Sequence, residues 1–79
     1  MEDIIHERIY VDPAIHFGKP CIKNTRISVY TIIELIQEGI SFDEIINNYY
    51  PDITKEDIKA CLEYAAYLVR EEEIHLGQS

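Results

Sequence analysis

The side chains able to do chemistry are fifteen carboxylates, seven lysines and arginines, three histidines and two cysteines. His6, His16 and His75 show none of the close His/His or His/Cys spacings that hold a metal, and Cys21 and Cys61 have no paired spacing. In a reducing compartment two such thiols are buried small hydrophobes rather than a disulfide. No pair of carboxylates is placed by sequence in an enclosed site, so the acids read as surface. Ser28 and Ser41 are explained as helix caps, and Gly18-Lys19 lacks the Gly-x-x-x-x-Gly-Lys-Ser/Thr frame that cradles phosphate. The expectation is a protein that is not an enzyme, with no catalytic residue, metal, cofactor or small-molecule substrate.

Binding chemistry is the better prospect, and charge frames it. The formal charge of −8 is uneven: Arg8, Lys19, Lys23 and Arg26 balance four acids in residues 1–28, whereas Lys55, Lys59 and Arg70 face eleven acids in residues 29–79. An acidic chain repels a phosphate backbone at long range and suits a basic partner protein. Two sets of cations remain candidates for DNA. Arg8, Lys19, Lys23 and Arg26 would reach phosphates from an N-terminal hairpin, as a paired β-ribbon in a dimer allows, or else form a solvated surface. Lys55 and Lys59 open the third helix, but they are mixed with Glu56 and Asp57, and no Arg, Asn or Gln there offers bidentate contacts to a base edge.

The element that organises the chain is the long helical pattern Thr54–Glu73. Thr54 caps it, Glu56 and Asp57 suit its N-terminal dipole, and Ile58, Cys61, Leu62, Ala65, Leu68 and Val69 make a core stripe. Ala60, Tyr64, Ala66 and Tyr67 widen that stripe beyond what one small core needs. Tyr64, Tyr67 and Leu68 are therefore expected at a protein interface, with two half-exposed tyrosines over the N-terminal segment as the plainer reading.

Ahead of this helix, Ile4–Val11 reads as one short strand ended by Asp12-Pro13. A loop follows in which Gly18 supplies a positive φ. Cys21-Ile22 and Arg26-Ile27 then flank a tight turn at Lys23-Asn24-Thr25, with Asn24 left-handed. So small a hairpin needs the first strand or a second copy of the chain to hold it. Ser28 caps a first helix, Val29–Glu38, stopped by Gly39. Ser41 and Glu44 form a capping box for a second, Phe42–Tyr49, broken at Pro51. The tail Ile74–Ser79 has no pattern and is expected to fray.

Seventy-nine residues make one domain, 1–79, divided into a β arm at 5–27, a tri-helical unit at 28–73 and a tail at 74–79. A chain of this size buries only somewhat more than about 60 % of its unfolded surface, so self-association would help it. No run approaches the roughly 20 apolar residues of a membrane span, and the start, Met-Glu-Asp, is acidic where a signal peptide is basic. A cytoplasmic location is expected.

Asp12-Pro13, Gly18-Lys19-Pro20-Cys21-Ile22-Lys23-Asn24-Thr25-Arg26-Ile27, Glu38-Gly39-Ile40-Ser41, Glu44-Ile45, Tyr50-Pro51, Thr54-Lys55-Glu56-Asp57-Ile58 and Ala60 together resemble the bacterial family called domain of unknown function 433. The motif positions are Gly18, Lys19, Pro20, Ile22, Thr25, Arg26 and Ile27; Asn24 stands where the family usually has Gly. The resemblance implies a mainly α, tri-helical homeodomain-like (helix-turn-helix) bundle with a short N-terminal β-hairpin. It also implies an antitoxin encoded beside a nuclease-like toxin of the PIN type. The expected function is thus a small dimeric antitoxin that binds a PIN-like toxin and operator DNA. The alternatives are a DNA-binding transcription regulator without a toxin, or a dimeric interaction module that does not bind DNA.

Overall fold

The computed structural model describes residues 3–14 and 16–72. It is mainly helical, with three helices behind an N-terminal antiparallel hairpin, as the sequence implied. Strands β1 (Asp3–His6), β2 (Ile9–Val11) and β3 (Cys21–Ile22) form one antiparallel sheet in the order β1-β2-β3. The helices are α1 (Val29–Gln37), α2 (Phe42–Glu44), which runs on as a π turn over Ile45–Tyr49, and α3 (Lys55–Glu72). The expected helix end at Glu73, the tail from Ile74 and His75 lie outside the described residues.

The single strand expected over Ile4–Val11 is instead a hairpin, turned at Glu7-Arg8, with Ile4 opposite Tyr10 and His6 opposite Ile9. The two charged residues take the turn, while Ile9 is fully buried and faces Ile22 of β3. The tight turn after β3 forms much as its residues dictate. Asn24 is left-handed at φ 67°, the Thr25 hydroxyl donates to the Ile22 carbonyl at 2.7 Å, and the Ile22 amide donates to the Ile27 carbonyl at 2.9 Å. Its second arm is not a strand; Ser28 makes an isolated bridge to Cys21 and then caps α1 by accepting from the Thr31 amide.

Gly39 ends α1 at φ 91°. Its amide donates to the Ile36 carbonyl and that of Ile40 to the Leu35 carbonyl, the paired bonds of a Schellman stop. Ser41 accepts from the Glu44 amide at 3.1 Å and opens α2. The Tyr50 amide reaches back five residues to the Ile45 carbonyl at 2.8 Å, which widens the second turn before Pro51 breaks it. Ile53 in the connection is buried and seats the start of α3.

The core comprises Ile9, Ile22, Val29, Ile32, Ile45, Ile53, Ile58, Ala60, Cys61 and Tyr64. Helix α3 packs against α1, α2, β1 and β2. Its buried face is narrower and rotated from the expected stripe: Ala60 and Tyr64 are inside, whereas Leu62, Leu68 and Val69 are exposed. Past Tyr64 the helix runs on for roughly 12 Å at about 1.5 Å per residue, and Tyr67, Leu68 and Val69 on this stretch are exposed.

Candidate interaction surface

The first turn of α3 is held by one carboxylate that serves two groups. Asp57 Oδ2 accepts the Thr54 amide at 3.0 Å, and Thr54 Oγ1 accepts the Asp57 amide at 3.2 Å, a reciprocal cap. Asp57 Oδ1 accepts Arg8 Nη1 at 3.0 Å, so the β1–β2 turn is tied to the helix start. A polar hollow of about 520 Å³ opens here, lined by Glu7, Arg8, Lys23, Asn24, Thr25, Asp52 and Asp57. Beside it lies a smaller one of about 230 Å³, formed by Glu7, Arg8, Glu56, Lys59 and Glu63. Across the two hollows five carboxylates outnumber three cations.

The candidate DNA contacts have the following surroundings. Arg8, Lys23 and Lys59 come together, but among acids. Lys55 is paired with Asp43 at 3.2 Å. Arg26 is exposed and close enough to Cys21 for its positive charge to favour the thiolate. Lys19 lines a cleft of about 240 Å³ together with Pro20, Ser28 and Tyr30.

The candidate protein interface also divides. Tyr64, expected there, is only 8 % exposed and belongs to the core of its own domain. Burial, followed by the neighbouring Tyr67, pushes its phenol to a higher pKa. Tyr67 and Leu68 are 42 % and 43 % exposed, and Val69, which the periodicity assigned to the core, is 69 % exposed. The end of α3 thus presents an aromatic and two aliphatic side chains in succession.

Sequence reasoning passed over two further exposed aromatics. Phe17 is 98 % exposed with φ 57°, in the left-handed region that costs a bulky residue about 1–2 kcal/mol, and Gly18 follows at φ 81°. Tyr30 on α1 is also exposed, and its hydroxyl donates to Glu34 Oε2 at 3.2 Å. A large aromatic just before a turn glycine was the available signal.

The motif residues have local explanations. Gly18 adopts the positive φ, the Pro20 carbonyl accepts the Val29 amide at 3.0 Å, Ile22 is core, Thr25 closes the turn, and Ile27 packs on the core edge. Both thiols are buried. The Cys61 thiol is pushed up to about 12 by burial and then by Asp57, and burial raises that of Cys21 against the pull of Arg26, so neither is an activated nucleophile. Among the described residues no group of three or more His, Cys, Asp or Glu is arranged to hold a metal ion, and no helix is long and apolar enough to cross a membrane.

An antiparallel hairpin set on three helices, with its chemistry spread over surfaces rather than gathered in an enclosed centre, defines a class of small tri-helical domain. Residues 9–65 match the family described as protein of unknown function (DUF433), and the chain belongs to that family. No curated protein and no solved structure matches it significantly.

Proposed function

We propose that this chain is a non-enzymatic antitoxin that acts as a dimer in the cytoplasm and holds a basic, PIN-like toxin on the projecting half of α3. The observation that carries the reading is the exposure of Tyr67, Leu68 and Val69 toward the C-terminal end of α3. An exposed aromatic beside aliphatic side chains is the composition of an interface core, and the surrounding acids favour a cationic partner. The family match ends at residue 65, one residue past Tyr64. The projecting segment therefore lies outside the matched part, which suits a surface that selects a particular partner.

DNA binding has weaker support in this chain. Lys55 is engaged by Asp43, Lys59 lies between Glu56 and Glu63, and the N-terminal cations are divided between separate hollows. Co-expression with the product of the neighbouring open reading frame tests the antitoxin reading. A stable complex and relief of toxicity are expected, both lost with the pair Tyr67→Ala and Leu68→Ala. A harmless or non-binding neighbour would remove the reading, and a salt-resistant gel shift abolished by Lys55→Ala would favour the transcription regulator instead.

A further inference from the structure

Helix α3 also carries apolar side chains on the side turned away from its core. Lys55, Lys59, Leu62, Ala66 and Val69 recur at alternating four- and three-residue spacing, the seam of a helix pair, and all five are exposed. At about 100° per residue, Ala66 lies roughly opposite Cys61 and Tyr64, which are buried. The seam is therefore the outward face of the helix, and Tyr67 and Leu68 lie off it. Its apolar part, Leu62, Ala66 and Val69, puts a small side chain between two larger ones. A two-fold axis at Ala66 sets that residue on its own copy and Leu62 against Val69 of an antiparallel helix, about one residue's rise apart along the axis. With alanine at the crossing, the two helix axes can approach to about 8 Å.

Charge identifies the occupant. Residues 29–79 hold eleven acids, yet the stretch from Lys59 to Arg70 has only Glu63 beside its two cations, so two copies of net charge −8 meet here without setting acid against acid. The same charges fix the orientation. Glu63 and Arg70, both exposed and seven residues apart, lie on one flank of the seam. In an antiparallel pair about Ala66, Glu63 of each copy meets Arg70 of the other, giving two ion pairs related by the axis. In a parallel pair Lys59, Glu63 and Arg70 would each face its own copy, and every contact would be between like charges. A basic partner would meet Lys55 and Lys59 on the seam and Arg70 on its flank, so the toxin of the functional reading is the poorer occupant of this face.

We infer that two copies of this chain pair through antiparallel α3 helices, with Ala66 on the two-fold axis, Leu62 against Val69 and Glu63 against Arg70 of the other copy. This rests on the dimer in the functional reading above and names its surface, while Tyr67 and Leu68 stay open to the toxin. Sedimentation equilibrium of the full chain, with no toxin present, tests it. The wild type should be a dimer, and Ala66→Glu, which sets two carboxylates on the axis, should raise the dimer dissociation constant at least about tenfold. Because Ala66 is exposed in the single chain, the circular dichroism of this variant should match the wild type. Glu63→Arg and Arg70→Glu should each weaken the dimer, and the double variant should recover it. A wild-type monomer would overturn both this inference and the dimer part of the functional reading. A dimer indifferent to Ala66→Glu, or no recovery in the charge swap, would overturn the inference while leaving a dimer through another face. Since the toxin is absent from the measurement, a neighbouring gene product that is harmless or does not bind would remove the antitoxin reading alone.

Discussion

The two halves of α3 differ little in composition and greatly in what surrounds them. The first half, Lys55 to Tyr64, is capped by Thr54, tied to the hairpin through Asp57 and Arg8, and buries Ile58, Ala60, Cys61 and Tyr64. The second half continues the same apolar spacing, yet its Leu68 and Val69 are exposed. A helix's periodicity specifies which residues share a face; whether that face is covered depends on how far its neighbours extend. Here the pattern is core up to Tyr64, whereas Tyr67, Leu68 and Val69 beyond it are exposed.

Tyr64 and Tyr67, one turn apart, give the sharpest contrast. Tyr64→Ala should destabilise the domain by about 3–5 kcal/mol, the usual loss for a large buried aromatic, and Tyr67→Ala by less than about 0.5 kcal/mol. Urea unfolding measures both, and equal losses would break the division of the helix. Alkali should have the next largest effect, and within α3 it falls on the first half. Cys61 and Tyr64 have folded-state pKa values raised by burial, as does Cys21 in the sheet. The folded state therefore holds its protons more tightly. Stability from these groups is complete below their unfolded values and is lost as pH rises from about 9 toward 12. Cys61→Ala should flatten that fall in a pH series of unfolding midpoints; an unchanged slope would contradict the burial of the thiol.

A smaller effect belongs to the helix start. Asp57→Ala removes a cap and an ion pair and should destabilise by about 1–2 kcal/mol. Most of that is the cap. In a double-mutant cycle with Arg8→Ala the coupling should fall below about 1 kcal/mol, because the guanidinium is partly solvated. A coupling of several kcal/mol would mean that the hairpin, and not the cap, anchors α3.

Features set within a few residues were legible in the sequence. Ser28, Gly39, Ser41, Asn24, Gly18 and Thr54 each do what their side chain or backbone freedom dictates, because their hydrogen-bond partners lie close by in the chain. Features set by tertiary contact were not. The turn at Glu7-Arg8 meets Asp57, which lies forty-nine residues from Arg8, and the burial of Ile53 depends on the helices around it. The candidate surface was half legible: Tyr67 and Leu68 emerged as apolar excess, whereas Tyr64 went to the core because Ala60 beside it lets the helix approach closely. The surroundings of the cations were invisible in one dimension. Lys23 and Arg26 are near in sequence, but only Lys23 joins Arg8 in the polar hollow.

The most direct test of the division of α3 is calorimetric titration of the chain, and of its Leu68→Asp variant, with the product of the neighbouring open reading frame. The account predicts that Leu68→Asp weakens binding by more than about tenfold, roughly 1.4 kcal/mol, while the melting temperature of the free chain stays where it was. Full affinity in the variant, or a melting temperature that falls along with the affinity, would contradict it.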